Sequence, residues 1–171
     1  MKKFELTSEF VTFLGKKLFR IKALISFGNV EEGELGGYVE KEENLSNDGN
    51  AWVCGNARVF GNARVYGNAE VFGDAWVYGD AWVCGDAEVF GDAWVCGDAD
   101  YATVHGFGSE YRTTTFFRTK AGDIGVRCGC FYGTLEEFRA KVKETHGETK
   151  TAKEYLMVAD LMEFRFSKEE A

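Results

Sequence analysis

The chain has no proline and only two histidines, and its five cysteines cannot all pair. Without proline, nothing removes a donor from a backbone ladder at any position. Two histidines offer little material for acid–base or zinc chemistry. An odd cysteine count with no pairing frame excludes a disulfide scaffold and fits a reduced compartment. No apolar run approaches the roughly 20 residues that span a bilayer. Met1 opens a charged, amphipathic stretch rather than a signal peptide. Cations are the minority charge, with 20 Lys and Arg against 28 Asp and Glu, a net charge of −8. General nucleic-acid binding depends on neutralising phosphates, so this balance disfavours it. A cytoplasmic protein without membrane contact is the expectation.

Glycine is plentiful, with 21 residues, and much of it is periodic. From Gly49 to Ala102 the sequence repeats every six residues: G-N-A-W-V-C, G-N-A-R-V-F, G-N-A-R-V-Y, G-N-A-E-V-F, G-D-A-W-V-Y, G-D-A-W-V-C, G-D-A-E-V-F, G-D-A-W-V-C, then a degraded G-D-A-D-Y-A. Glycine tolerates positive φ, and Asn or Asp tolerates it next best, so Gly-Asx reads as a corner. The following Ala-x-Val-x alternates as a short strand, with Ala and Val on one face and both variable residues on the other. A strand broken by a corner at every sixth residue cannot form a flat sheet. It coils, and three hexads per turn make a triangular prism of about three coils stacked roughly 4.8 Å apart.

Val with Ala four residues later, as in Val53 and Ala57 or Val59 and Ala63, resembles the hexapeptide repeat of left-handed β-helix proteins. Left-handedness is what the resemblance implies, and it runs against the usual crossover rule. The fold class is therefore read as mainly β: a short left-handed parallel β-helix with a small α+β C-terminal appendage. The run G-E-L-G-G-Y-V-E-K-E-E-N-L-S before the repeat resembles the head of hexapeptide-repeat proteins encoded by bacteriophages and prophages. That resemblance implies a bacterial host cytoplasm and brings no established chemistry with it.

Stacking the hexads in threes places Trp52, Glu70 and Glu88 on one outer face. Arg58, Trp76 and Trp94 fall on a second, and Arg64, Trp82 and Asp100 on a third. Trp52, Phe60, Tyr66, Phe72, Trp76, Tyr78, Trp82, Phe90 and Trp94 then point away from the prism core. That much apolar surface needs cover, from a second copy, from the chain's own ends, or from both. These nine residues are the expected interface of a homo-oligomer, a trimer first.

Three segments follow: an N-terminal cap and irregular first coil (1–48), the repeat (49–102), and an appendage (103–171). Tyr111 to Lys120, the turn at 121–123, and Ile124 to Tyr132 read as a β-hairpin. Thr134 and Glu137 form a capping box opening a helix that Gly147 ends. A second helix is expected over 151–166, with a frayed end at 168–171.

Many hexapeptide-repeat proteins are acyltransferases with a histidine base, which implies acetyl-coenzyme A as co-substrate. His105 is the one residue here that fits the role, and it lies outside the eight good hexads. The long loop that many of those enzymes insert between coils is missing. His146 reads as a helix C-terminal dipole partner. Cys128 and Cys130 form a C-x-C with no further ligands at metal spacing, so they read as small strand residues. The Asp column at 74, 80, 86, 92 and 98 alternates with Asn and reads as corners, so no metal is expected.

The hairpin mixes cations with aromatics: Tyr111, Arg112, Phe117, Arg118, Lys120, Arg127 and Tyr132. Guanidinium groups pair with phosphate and rings stack on bases, so this mixture suits a small anionic, nucleotide-like ligand. Three functions follow. The first is a non-enzymatic oligomeric binding protein, with phage counter-defence by sequestering a nucleotide-type signal as its concrete form. The second is an acyltransferase using His105. The third is a structural or protein-docking module.

Overall fold

A computed structural model describes residues 1–168. The chain forms two compact units, Met1–Asp98 and the residues from Ala99 onward. The expected frayed end lies outside the described residues from position 169 on.

In the first unit each hexad forms a two-residue strand: β4 (Trp52–Val53), β5 (Arg58–Val59), β6 (Arg64–Val65), β7 (Glu70–Val71), β8 (Trp76–Val77), β9 (Trp82–Val83), β10 (Glu88–Val89) and β11 (Trp94–Val95). They pair in parallel as β4–β7–β10, β5–β8–β11 and β6–β9. These are the three prism faces, and the repeat is a parallel β-solenoid. Every hexad Ala and Val from Ala51 to Val95 is buried, so these pairs fill the axis. The corner glycines from Gly49 to Gly91 take φ between 64° and 74°. A Cβ on Gly49 would collide with the Gly67 carbonyl, so the corner needs glycine for space as well as for φ.

The coils are joined by backbone bonds in one direction. Trp52 N–H donates to the Ala69 carbonyl (3.0 Å), Arg58 to Ala75 (2.9 Å) and Arg64 to Ala81 (2.9 Å). The corner side chains form a second ladder, in which the Nδ2 groups of Asn56, Asn62 and Asn68 donate to Oδ1 of Asp74, Asp80 and Asp86 at 3.2, 2.9 and 3.0 Å. This explains why Asn precedes Asp along the repeat: the upstream partner must donate, and a carboxylate has no hydrogen to give.

The ladder leaves the carbonyls of the first coil needing donors. Tyr38 and Ser46 N–H groups reach Ala57 and Val65 (both 2.9 Å). Two buried side chains complete the edge. Lys3 Nζ donates to Ala51 (2.8 Å) and Gly49 (3.3 Å), and Asn44 Nδ2 to Ala63 (2.8 Å) and Gly61 (3.2 Å). Unpaired strand edges are a liability, and these residues close one.

The segment before the repeat is more ordered than a loose cap. Strands β1 (Phe4–Phe13) and β2 (Lys16–Ala23) form a hairpin, and β2 pairs antiparallel with β3 (Leu35–Val39). Strand β3 pairs parallel with β5, giving one six-stranded sheet, β1-β2-β3-β5-β8-β11. Leu14 and Gly15, both at positive φ, make the hairpin turn.

This hairpin corrects part of the expected interface. Phe13 meets Phe60 and Trp76 edge-on at centroid distances of 5.6 and 4.3 Å. Phe27 does the same to Trp52 at 5.4 Å. Trp52 and Phe60 are 3% and 5% exposed and are not available to a second copy. Phe72, Trp76, Tyr78, Phe90 and Tyr66 are half-buried, while Trp82 and Trp94 remain exposed. The chain's own N-terminal residues cover one face because β2 extends the same sheet.

The repeat also ends earlier than residue 102. Gly97 does not take the corner conformation, and Asp98–Asp100 forms a 3₁₀ turn. Asp98 Oδ1 accepts from the Trp82 N–H (2.7 Å), completing the β9 rung. Asp100, expected beneath Arg64 and Trp82, belongs to the second unit.

That unit is an antiparallel sheet of β12 (Tyr101–Val104), β13 (Thr114–Arg118), β14 (Ile124–Cys128) and β15 (Phe131–Thr134), followed by α1 (Leu135–His146) and α2 (Lys150–Phe166). The expected hairpin is its centre, with a strand added on each side. Thr134 and Glu137 make the capping box reciprocally, at 2.7 and 3.2 Å. Phe116 and Val126 form a core with Leu135, Phe138, Tyr155 and Met162.

Lys3 supplies the sharpest stability test. It is 2% exposed, and burial pushes its pKa down to about 8 from 10.5, against a smaller upward pull from Asp48. A depressed folded-state pKa means the unfolded chain holds the proton longer, so this group adds stability as pH rises from about 8 towards 10.5. Lys3→Met should cost about 1–3 kcal/mol at neutral pH by orphaning two buried carbonyls. In urea melts the gap between wild type and Lys3→Met should widen through that alkaline window. A gap that narrows would contradict the assignment.

Candidate functional site

Strand alternation divides the predicted cation–aromatic cluster between two sides of the second sheet. Phe116 and Val126 face the helices, so residues one position away face the other side. Phe117, Arg127 and Tyr132 are on that side. Phe117 lies against Gly125, stacks on Tyr132 at 6.4 Å and 13°, and is wholly buried. It cannot serve as a stacking platform for a ligand. Arg127 is the cross-strand partner of Tyr132.

Arg118 is on the helix side and is already occupied. Its Nε donates to Asp100 Oδ1 (3.1 Å), its Nη2 to the Phe166 carbonyl (3.0 Å), and its guanidinium lies 5.3 Å from the Phe166 ring. The last carbonyls of a helix lack internal donors, so Arg118 pins the end of α2. Its guanidinium is thus already engaged within the second unit. Tyr111 is exposed with φ 51°, and Lys120 lies in the β13–β14 turn. The seven predicted ligand residues therefore do not converge.

Arg112 does face a pocket. A cavity of about 280 Å³ opens between the β14–β15 turn and α1. Its buried surface is aromatic. Phe138 meets Phe131 at 5.6 Å and Tyr155 at 5.7 Å, and His146 stacks on Tyr155 at 5.7 Å and 29°. Arg112 and Lys141 line it as exposed cations. Gly129 lets the Arg112 guanidinium lie across the turn, where a Cβ would strike Nη1. Glu110 is the only carboxylate among the lining residues, 3.8 Å from Arg112. Burial raises the Tyr155 phenol pKa, as does the neighbouring Cys128 thiol, while hydrogen bonds with Ser109 act the other way. The phenol therefore stays neutral. Cys128 accepts from Thr114 Oγ1 (3.2 Å).

Phe138, Lys141, Tyr155 and His146 are not among the predicted ligand residues, because they lie on the two helices, outside the hairpin whose pattern suggests the ligand site. The signal was present: Phe138, Lys141, Val142 and Thr145 recur at helical spacing on one face of α1. His105, the predicted acyltransferase base, is exposed, and its Nδ1 lies 3.0 Å from Thr113 Oγ1. Among the described residues no group of three or more His, Cys, Asp or Glu side chains could hold a metal ion. No described helix is long and apolar enough to cross a membrane.

The Arg118 geometry predicts that Arg118→Ala loses about 1–3 kcal/mol of stability in the second unit, by freeing the α2 terminus and removing the Asp100 ion pair. Hydrogen exchange should quicken along α2 and leave the solenoid amides unchanged. Uniform loss of protection in both units would refute this.

A family model for the YdcK β-solenoid repeat matches residues 51–65 and again 63–79. These spans lie wholly within the prism, and the match carries no information about the second unit. No curated protein matches the chain.

Proposed function

We propose that this is a non-enzymatic binding protein whose second-unit pocket captures a small anion with a flat, apolar body. One observation carries the reading: an aromatic cavity of about 280 Å³ is lined by the exposed cations Arg112 and Lys141, which lie 3.8 Å from Glu110 and 3.0 Å from Glu144 respectively. Buried rings supply contact area for a flat group, and exposed cations meet its charge. The volume is at the small end of ligand pockets and suits one ring system rather than a large cofactor. A nucleotide-type signal is the ligand this chemistry favours. On the resemblance of the repeat and its leading segment to phage hexapeptide-repeat proteins, the role is counter-defence by sequestration in the cytoplasm of a bacterial host. Self-association, as a homotrimer, belongs to the same proposal. Met157, Leu161 and Phe164 are exposed at helical spacing on α2, and Trp94 is exposed on the solenoid. A second copy would cover such residues.

Calorimetric titration with linear and cyclic nucleotides, and with small aromatic carboxylates, tests the pocket. Arg112→Ala should weaken binding roughly tenfold or more, since a charge-assisted bond is worth about 1.5–3 kcal/mol. Val142→Trp, which fills the cavity, should abolish binding. Silence across the panel, or unchanged affinity in both variants, would overturn the reading. Sedimentation at micromolar concentration should show a trimer that Leu161→Glu dissociates, and a clean wild-type monomer would refute self-association.

A further inference from the structure

We infer that the third face of the solenoid, formed by β6 and β9, is a second binding site, and that its ligand is a saccharide chain. This does not rest on the pocket of the second unit. Two adjoining clefts of about 540 and 470 Å³ open on this face and share Glu43, Arg64 and Trp82. Trp82 is 48% exposed. The Tyr66 ring meets it edge-on at 6.1 Å and 87°, and the Arg64 guanidinium lies 5.7 Å from its ring centre. On the face of β5 and β8, the N-terminal hairpin occupies the equivalent ground through Phe13. The third face instead presents an aromatic platform bordered by open clefts.

The rim decides the ligand class. Glu42, Glu43 and Asp80 supply three carboxylates, against Arg64 and Lys41. Glu42 is further tied to Lys2 at 2.6 Å. With Lys2 on Glu42, the remaining Glu43 and Asp80 balance Arg64 and Lys41, so no net positive charge draws a phosphate here and an uncharged ligand fits the rim. Hydroxyl groups are the complementary donors. Carboxylates accept from them strongly, and the C–H face of a sugar ring packs on an indole as any apolar surface does. Two adjoining clefts suit several linked rings rather than one.

One acceptor and the backbone of the platform residue are also held in place. Asn62 Nδ2 donates to Asp80 Oδ1 (2.9 Å), and the Trp82 backbone N–H is fixed by Asp98 (2.7 Å). Both are fixed to the solenoid ladder, so little ordering entropy is lost on binding.

The test is titration of the full chain with maltohexaose, cellohexaose, chitohexaose and an oligogalacturonate, following heat and tryptophan emission together. At least one should bind with Kd at or below about 1 mM, shift the emission, and keep its affinity in about 0.5 M salt, because the contacts are not ionic. Trp82→Ala should weaken that binding tenfold or more. Glu43→Gln, at an exposed position with no hydrogen bond or ion pair among the described residues, should weaken it severalfold without moving the melting temperature. Arg112→Ala should leave it unchanged, which separates this site from the pocket of the second unit. Silence with every oligosaccharide, affinity indifferent to both Trp82→Ala and Glu43→Gln, or salt-sensitive binding confined to nucleotides would each overturn the inference.

Discussion

Everything in the first unit depends on a backbone corner at every sixth residue. Positive φ at Gly49 through Gly91 turns the strand before it can extend, and each coil then lays its N–H groups on the carbonyls of the next. The core follows from the corner. With four residues between turns there is room for one Ala and one Val inside, and those pairs fill the axis. Where Gly97 leaves the corner conformation, the coil stops. A periodic ladder also has a polarity: its leading edge presents carbonyls that the repeat itself cannot satisfy. Lys3 and Asn44 supply those donors from segments that do not repeat. The N-terminal region is thus part of the solenoid's hydrogen-bonding scheme as well as an apolar cover.

The two candidate sites differ in how they are built. The pocket of the second unit joins a strand turn to a helix, with buried rings and exposed cations. The cleft of the first unit is a regular solenoid face on which outward side chains meet the first coil. The pocket sets Arg112 and Lys141 beside buried rings, whereas the cleft sets an exposed indole among carboxylates and cations in balance. In both, glycine or a ladder bond sets the critical side chain: Gly129 beneath Arg112, and Asp98 behind the Trp82 backbone.

Cysteine usage fits the same picture. Cys54, Cys84 and Cys96 replace Phe or Tyr at outward hexad positions and are not joined in disulfides. Burial pushes the Cys54 thiol up to about 11, so it behaves as a small apolar filler rather than a nucleophile. Cys128 is held between Thr114 and Tyr155 in the second-unit pocket.

The amino-acid sequence by itself determined the solenoid. Period, corner residue, inward pair and the columns Trp52–Glu70–Glu88 and Arg58–Trp76–Trp94 were all legible, because each rests on interactions between positions at a fixed spacing. The capping box at Thr134 and the helix stop at Gly147 were legible for the same reason. Only the tertiary structure decided where Phe13 would lie, that Lys3 would finish an edge 46 and 48 residues away, and that Asp100 would pair with Arg118 rather than continue a rung. It also decided the sites. A cluster of cations and rings close in sequence was divided by the two sides of one sheet, and the pocket drew Phe138, Lys141 and Tyr155 from helices instead. Local spacing sets the elements, but a pocket is defined by which elements meet. That depends on packing between segments far apart in the chain, where no period carries the information.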